Sequence, residues 1–538
     1  MFRTHVVRSL ISSRFSLLLG SFVMLLIATP ARSAERITGF FGSLQLSLSV
    51  DALEAFVDRN QVTDELAFYT KRLSPEQLKQ FRQVLEFRLP ASPVLFSQVG
   101  YSKIGESLLQ QAGDVIQTET GENGFYALRS ALILSATQPN GTSFIQLLRN
   151  FPSRSVRIDF NKSLRLAQAV LAQQQQTINV FRTLAAQAEV DTRSPLSDLR
   201  KPGSVTWRQQ TWTIHDTKRD RTFPVDLYLP QTKLTTPLVV IVHGAVEDRQ
   251  TFANFAQHLA SYGFAVAVPE NPNTSQRRWG EFLRGLAPEP DAASLSDQPL
   301  DVRSLLDELA RQAQTQPALQ RLNLQQVGVI GHSQGGTTAL FLAGATIDPD
   351  RQQRCQTLSS TDIIGQIQCG SPLPSSSPRD PRIVAAIAIN PVTSLIFGSK
   401  GMSQLQVPVM LVSSSADMIT PPINEQICPF TGIQVESRYL ALIENGTHLS
   451  MLGENAFKNL EISLPPLVVG ADPAVARSFL NGVGLAFVQR YVANQTDFQP
   501  YLSNAYSRSL STPNLKLTLL RQIPEIPKFR HDRCTATD

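Results

Sequence analysis

The distribution of apolar and polar residues differs between the two halves of the chain. From about residue 205 onward, short and almost uniformly apolar runs recur, and each ends in small or turn-forming residues. Such runs are typical of strands in a parallel sheet that helices cover on both faces. We therefore predict strands within 237–245, 264–268, 327–332, 383–389, 407–417 and 437–448, preceded by antiparallel strands at 207–215 and 222–229.

Residues 34–160 show helical periodicity instead. Ser74-Pro75-Glu76-Gln77 is a capping box with proline at the first helical position, and apolar residues follow at helical spacing. Comparable amphipathic runs lie near 50–57, 63–73, 103–111, 125–137 and 143–149. We predict that a small all-α domain precedes the α/β domain.

Residues 161–204 read as a long helix followed by a linker. The stretch 161–190 lacks glycine and proline, whereas Pro195 and Pro202 mark the linker, so the α/β domain is predicted over 205–538. The helix lacks the sustained heptads of a dimerisation seam, which favours packing within the chain. The sequence leaves the oligomeric state open.

Residues 1–33 are predicted to form a secretory signal peptide. Basic residues precede an apolar core at 15–28, and Ala31-Arg32-Ser33 has the small-x-small pattern of a cleavage site. The expected location is periplasmic or extracellular, and an uncleaved membrane anchor is the alternative.

The charge of the chain changes when this segment is removed. The net charge is +5 over 538 residues, and four arginines with no acid lie in the segment. The remaining chain is nearly neutral, so we expect no nucleic-acid partner.

The motif Gly331-His332-Ser333-Gln334-Gly335 follows an apolar run and precedes a predicted helix. In G-x-S-x-G sequences of this kind, the serine lies on a sharp strand-to-helix turn that exposes its hydroxyl. Ser333 is therefore the candidate nucleophile. The alternative is a strand that ends in a glycine-rich turn.

A serine nucleophile requires a base and a carboxylate that orients the base. Asp417 follows the apolar run at 407–416, and His448 follows the run at 437–444. Because the carboxyl ends of parallel strands share one edge of a sheet, both side chains are expected near Ser333. Ser333, Asp417 and His448 are thus the predicted catalytic triad.

The oxyanion of an acyl-transfer reaction needs hydrogen-bond donors, usually backbone N–H groups. The run at 237–245 ends in His243-Gly244-Ala245, at the position of the loop that supplies one donor, so Ala245 is the first candidate. The second candidate is Gln334, the residue after the nucleophile. His243, Gly244 and His332 are predicted to support the site structurally.

These motifs resemble those of α/β-hydrolases, and in particular the esterase branch of dienelactone hydrolases and platelet-activating-factor acetylhydrolases. The similarity spans 239–448, and its pieces are VVIVHG, FAVAVPE, PLDVRSLLDEL, GHSQGG, SADMITPP and ENGTH, in that order. The N-terminal half resembles the domain of unknown function that precedes many cyanobacterial α/β-hydrolases. The resemblance implies an α/β-hydrolase fold, but no activity for the N-terminal half.

Two insertions interrupt the predicted sheet, at 273–298 and 346–380. The first is a lid candidate because loops after the carboxyl ends of strands border the active site in such folds. A solvated surface excursion is the alternative. The arginines and the tryptophan of the first insertion would suit an amphiphilic ester at a membrane surface. This predicts a peripheral membrane contact through Arg277, Arg278, Trp279 and Phe282.

All four cysteines lie in the C-terminal half, and an even number in an exported chain suggests disulfides. Three pairings are open, and we favour Cys355 with Cys369 and Cys428 with Cys534. Their spacing does not resemble a zinc site.

The sequence therefore predicts a serine hydrolase that acts on small-molecule or lipid carboxylic esters without a metal or organic cofactor. Lipid or short-chain acyl esters would follow from the acetylhydrolase resemblance. The rivals are a serine peptidase or acyltransferase on the same scaffold, and an exported binding protein without turnover.

Overall fold

The computed structural model describes residues 33–41, 44–89, 91–138, 141–188, 196–290, 295–358, 362–452, 466–470 and 472–523. The chain divides into two compact units, Met1–Ala167 and Gln168–Asp538. The predicted signal segment lies outside the described residues, except for its last residue. No helix in the described ranges is long and apolar enough to cross a membrane.

The N-terminal unit contains β-structure, so the prediction of an all-α domain is wrong. Its larger sheet has the strand order β2-β1-β6-β4, with β1 and β6 parallel and the other neighbours antiparallel. The alternation of Leu44, Leu46 and Leu48 is a strand signal that the helical periodicity of the following residues obscured. The strands are β1 (Arg36–Phe41), β2 (Leu44–Ser49), β3 (Arg88–Leu89), β4 (Ile116–Gln117), β5 (Thr142–Ser143) and β6 (Ser155–Ile158).

The predicted helices of this unit are present, with ends shifted by a few residues. The capping box at Ser74 forms as expected, because its hydroxyl accepts from the Gln77 N–H and the Gln77 side chain accepts from the Ser74 N–H. The helices are α1 (Val50–Arg59), α2 (Asp64–Thr70), α3 (Pro75–Glu86), α4 (Pro93–Gly100), α5 (Lys103–Val115), α6 (Phe125–Ser135) and α7 (Phe144–Arg149).

The long helix α8 runs from Phe160 to Gln187 and crosses the division between the units. Its C-terminal part carries Val180, Phe181 and Leu184, which are buried in the core of the C-terminal unit. This packing within the chain accounts for the apolar spacing of the C-terminal part of the helix, whereas Leu164, Leu166 and Leu171 in its N-terminal part are exposed.

The C-terminal unit is built on a nine-stranded sheet with the order β15-β14-β13-β12-β11-β9-β10-β8-β7. The six strands from β14 to β10 are parallel, whereas β15 at one edge, and β8 and β7 at the other end of the sheet, pair antiparallel with their neighbours. The strands are β7 (Trp207–Asp216), β8 (Arg221–Pro230), β9 (Thr236–Val242), β10 (Ala265–Pro269), β11 (Leu322–His332), β12 (Ile383–Ile389), β13 (Val409–Ser414), β14 (Arg438–Glu444) and β15 (Lys516–Leu520).

Helices cover both faces of this sheet, as the uniformly apolar strands predicted. On β9, Val240 belongs to the core on one face, whereas Val239 and Ile241 belong to the core on the other. Full burial of such a side chain stabilises the fold by about 1.5–3 kcal/mol. The helices are α9 (Ala253–Ser261), α10 (Gln276–Leu283), α11 (Asp297–Gln312), α12 (Gln334–Ala343), α13 (Arg351–Gln356), α14 (Ile363–Gly370), α15 (Gly398–Met402), α16 (Cys428–Thr431), α17 (Pro466–Val469), α18 (Pro473–Phe479), α19 (Leu485–Tyr491) and α20 (Asn504–Leu510), with tighter or wider turns at Ile423–Ile427, Leu480–Gly484 and Thr496–Tyr501.

The second insertion carries a disulfide between Cys355 and Cys369, whose Cα atoms are 5.7 Å apart. This predicted pair is confirmed. Cys534 lies outside the described residues, so its pairing with Cys428 stays a prediction.

Replacing both Cys355 and Cys369 by serine is expected to lower the free energy of unfolding by about 3 kcal/mol, because the bond closes a short loop and restricts the unfolded chain. Urea denaturation of the oxidised protein, followed by circular dichroism, measures the difference. An unchanged midpoint would show that the bond contributes nothing to stability.

Candidate active site

The predicted nucleophile lies on a sharp turn between β11 and α12. Ser333 has φ 52° and ψ −121°, in the left-handed half of conformational space that residues with side chains rarely adopt. Such a conformation costs about 1–3 kcal/mol and persists only when the surrounding structure enforces it. Here the Ser333 N–H donates to the Ile389 carbonyl at 2.8 Å, and the side chain remains partly exposed.

Two glycines allow the backbone to approach this turn closely. A Cβ atom on Gly335 would lie 2.2 Å from the carbonyl oxygen of Val242, at the end of β9. A Cβ atom on Gly244 would lie 3.0 Å from the Ser333 Cβ and 2.6 Å from Glu247 Oε1. The segment after β9, residues 243–247, is therefore packed directly against the serine, and we call it the oxyanion loop.

Asp417 and His448 form a buried pair at the ends of β13 and β14. His448 Nδ1 donates to Asp417 Oδ2 at 2.7 Å, and the two residues are 5% and 4% exposed. Asp417 Oδ1 accepts from the N–H groups of Ile419 at 2.9 Å and Thr420 at 2.7 Å. The Thr420 hydroxyl also donates to Oδ2 at 2.7 Å. With Nδ1 donating, His448 keeps its lone pair on Nε2, as a general base requires.

His332, the residue before the nucleophile, connects the turn at Ser333 to the Asp417–His448 pair. The rings of His332 and His448 have centroids 4.7 Å apart, and His332 Nε2 donates to the His448 carbonyl at 3.0 Å. The structure thus brings the three predicted triad residues to the same edge of the sheet.

The two predicted oxyanion donors belong to segments next to Ser333, the oxyanion loop and the first residue of α12. Ala245 is partly exposed and precedes Val246, whose φ of 63° is unusual for a β-branched residue. In the described part of the chain, the Ala245 N–H donates no hydrogen bond. Gln334 is the first residue of α12, where backbone N–H groups point out of the helix.

His243 is positioned as a support and not as a base. Its Nδ1 donates to the Gly244 carbonyl at 2.7 Å, and its Nε2 accepts from the Asn271 N–H at 3.0 Å. Both ring nitrogens are therefore used by the backbone. Gln298 Nε2 donates to the His243 carbonyl at 3.0 Å, which ties helix α11 to the same loop.

Glu247 is a site residue that the sequence interpretation missed. Its side chain is 2% exposed, accepts from the Gly244 N–H at 2.9 Å and contacts His332 Nδ1 at 2.6 Å. An acid just after a buried strand was a visible signal, but His332 lies 85 residues further along the chain. Thr420, three residues after Asp417, was missed in the same way.

The electrostatics of the buried Glu247–His332 pair favour the charged forms of both side chains. Burial opposes ionisation of Glu247, but the charge and hydrogen bond of His332, with the Gly244 N–H, hold the pKa of Glu247 below 4.5. Burial would also lower the pKa of His332, yet Glu247 and the His448 carbonyl raise it above 6.5. Both shifts favour the charged forms, and the 2.6 Å contact between His332 Nδ1 and Glu247 Oε1 has the geometry of an ion pair.

The lid candidate is a helix that begins beside the oxyanion loop. The Val246 N–H donates to the Thr274 carbonyl at 2.8 Å, just before α10. On this helix Arg277 is exposed and pairs with Glu281 at 2.8 Å, whereas Phe282 is buried. Trp279 and Arg278 are half-buried, so much of the predicted apolar lid surface packs inward. Its role as a lid stays a prediction.

No cluster of three or more His, Cys, Asp or Glu side chains in the described ranges is arranged to hold a metal ion.

Comparison with known proteins gives the class of this chain. Residues 33–159 match a family described as an alpha/beta hydrolase of unknown function (DUF1400), and residues 237–387 match the alpha/beta hydrolase fold family. The match at 237–387 agrees with the mixed sheet and the covering helices of the C-terminal unit, which fit an α/β-hydrolase fold. The matches do not establish the acetylhydrolase or dienelactone hydrolase branch.

Two curated relatives add a weaker likeness. Chlorophyllase-1 of Citrus unshiu and of Citrus sinensis are each 27% identical to this chain over 120 residues. The match covers 22% of this chain and 32% of each relative, so the chain spans about a third of the length of these relatives.

Gly244→Ala is expected to reduce ester turnover by about a hundredfold, because the new Cβ would displace the oxyanion loop from Ser333, and misplacement of about 1 Å has effects of this size. Steady-state kinetics measure the loss. Gly370→Ala is the matched control, since no atom lies within 4 Å of its added Cβ. Equal kinetics for both variants would contradict the close approach.

The Glu247–His332 pair is expected to stabilise the fold most between pH 4.5 and 6.5, the ordinary pKa values of the two groups. The lowered pKa of Glu247 gives stability above pH 4.5 that is lost as the pH falls through its folded pKa. The raised pKa of His332 gives stability below pH 6.5 that is lost as the pH rises through its folded pKa.

The measurement is the difference in unfolding free energy between the wild type and Glu247→Gln, from below pH 4.5 to above pH 6.5. His243, Asp417 and His448 are further titratable groups near the pair. A difference that does not change with pH would mean that the pair is not ionised.

Proposed function

We propose that this chain is a serine hydrolase of carboxylic esters, with Ser333 as nucleophile, His448 as general base and Asp417 as the residue that orients His448. The observation that carries the proposal is the buried 2.7 Å hydrogen bond between Asp417 and His448, beside a serine held at a positive φ. The α/β-hydrolase matches and the likeness to chlorophyllases support the same class.

In the acylation step, Ser333 Oγ attacks the ester carbonyl carbon while His448 Nε2 takes the hydroxyl proton. The negative charge that develops on the carbonyl oxygen is stabilised by the Ala245 and Gln334 N–H groups. Asp417, which accepts four hydrogen bonds, orients His448 and stabilises its imidazolium form. His448 then protonates the leaving alcohol as the C–O bond breaks, which leaves an acyl-enzyme.

In the deacylation step, His448 takes a proton from water, and the resulting hydroxide attacks the acyl carbon. The same two N–H groups stabilise the second tetrahedral intermediate. Its collapse breaks the bond to Ser333 Oγ, which regains a proton from His448, and the carboxylic acid leaves.

The substrate within this class is a finer proposal. The acetylhydrolase resemblance favours lipid or short-chain esters, whereas the curated relatives are named chlorophyllases, which makes chlorophyll a further candidate. Met418 and Ile419, next to Asp417, are 75% and 42% exposed. Apolar side chains at this edge favour a substrate with an apolar portion.

Ser333→Ala is expected to lower ester turnover by about three to six orders of magnitude, because the nucleophile is lost while the fold is kept. Asp417→Asn is expected to lower it by about four orders of magnitude, since the imidazole would lose its orienting carboxylate. Hydrolysis of p-nitrophenyl esters from acetyl to palmitoyl, with circular dichroism of each variant, measures both effects.

Ser509→Ala is the matched control, because this serine only donates to the Tyr506 carbonyl within helix α20. The dependence of turnover on acyl-chain length distinguishes short-chain from lipid esters. Assays with amides or with alternative acyl acceptors distinguish a peptidase or an acyltransferase. Normal turnover in both Ser333→Ala and Asp417→Asn would overturn the triad. A folded wild type without turnover on any ester would favour a binding protein.

A further inference from the structure

The Glu247 carboxylate uses each of its oxygens for a different segment around Ser333. Oε2 accepts from the Gly244 N–H at 2.9 Å, within the oxyanion loop. Oε1 accepts from Nδ1 of His332 at 2.6 Å, on the strand that leads into the nucleophile. Glu247 therefore joins the loop to the turn that carries the serine.

His332 extends this connection to the catalytic base. Its Nε2 donates to the His448 carbonyl at 3.0 Å while its Nδ1 donates to Glu247, so both ring nitrogens carry protons. The ring is fully buried, with Phe252 against it at 5.9 Å between centroids. Three separate segments, which carry the oxyanion donor, the nucleophile and the base, thus meet in one hydrogen-bonded chain.

The lid candidate is tied to the same residue through the backbone. The Gln276 N–H at the start of α10 donates to the Glu247 carbonyl at 2.8 Å. A shift of Glu247 would move the start of this helix as well as the oxyanion loop.

We propose that Glu247 and His332 are positioning residues that hold the oxyanion loop, Ser333 and the His448 loop at their working separations. The inference rests on the proposed function. It assigns a task to two residues that take no part in proton transfer or nucleophilic attack.

Fold stability alone is a weak explanation for such a pair. Removing two charges from water is costly, and buried ion pairs are often replaced by apolar residues with no loss of stability. Positioning is a stronger explanation, because the two side chains connect segments whose relative positions must be correct to within a fraction of an ångström for catalysis.

The variants Glu247→Gln and Glu247→Asp distinguish an effect of side-chain length from an effect of side-chain charge. Glutamine keeps the length, so that its amide oxygen can accept from the Gly244 N–H. Its amide nitrogen can donate to His332 Nδ1 once the ring is neutral, with its remaining proton on Nε2. Aspartate keeps the charge but is one methylene too short to reach both partners. Positioning therefore predicts that the neutral variant works and that the charged one fails.

The measurement is kcat and KM on the best p-nitrophenyl ester, with kcat expressed per active site titrated by a fluorophosphonate. We expect kcat within about threefold of the wild type for Glu247→Gln and lowered about tenfold to a hundredfold for Glu247→Asp, with KM little changed. A purely structural role would lower the melting temperature without changing kcat per titrated site.

Glu65→Gln and Glu65→Asp are the matched controls, since Glu65 also accepts from a backbone N–H, that of Ser49 at 3.1 Å, but in the N-terminal unit. Both are expected to keep the wild-type kcat. The inference is overturned if Glu247→Asp keeps the wild-type kcat, or if Glu247→Gln loses as much as Glu247→Asp. A wild type that neither turns over esters nor reacts with the fluorophosphonate would overturn the proposed function and the inference together, whereas an active wild type isolates the inference.

Discussion

The parallel arrangement of six strands is the constraint on which the candidate site depends. Each crossover returns the chain to the same edge of the sheet, so β9, β11, β13 and β14 all end there. Gly244, Ser333, Asp417 and His448 follow these four ends. Residues separated by more than 200 positions in the chain are neighbours for this reason, and no single local motif could bring them together.

The strain at Ser333 is tolerated because several contacts enforce it. Gly335 lets helix α12 press against the end of β9, and the Ser333 N–H is held by the carbonyl of Ile389 on the neighbouring strand. Asp417 is held in the same manner by its own loop, through Ile419 and Thr420. The site is thus preorganised by hydrogen bonds to Ser333 from the neighbouring strand and to Asp417 from its own loop.

The N-terminal unit shows how local patterns can mislead. Its helices were predicted from apolar spacing and from the Ser74 capping box, and they are present. The two sheets of this unit were not predicted. Three of their strands, β3, β4 and β5, have only two residues each, and β1 pairs with β6 more than a hundred residues away. Strands this short carry almost no periodic signal, and only their pairing stabilises them.

The sequence by itself determined the class of the C-terminal fold and the strands that carry the proposed catalytic residues, and it favoured the Cys355–Cys369 bond among three possible pairings. These features are encoded locally, in apolar runs, in G-x-S-x-G and in the short spacing of two cysteines. The sequence did not determine the partners of Glu247 and Thr420 or the inward packing of Phe282. Those depend on which side chains meet when distant segments converge, because the free energy of a buried charge or aromatic ring is set by its neighbours in space and not by its neighbours in the chain.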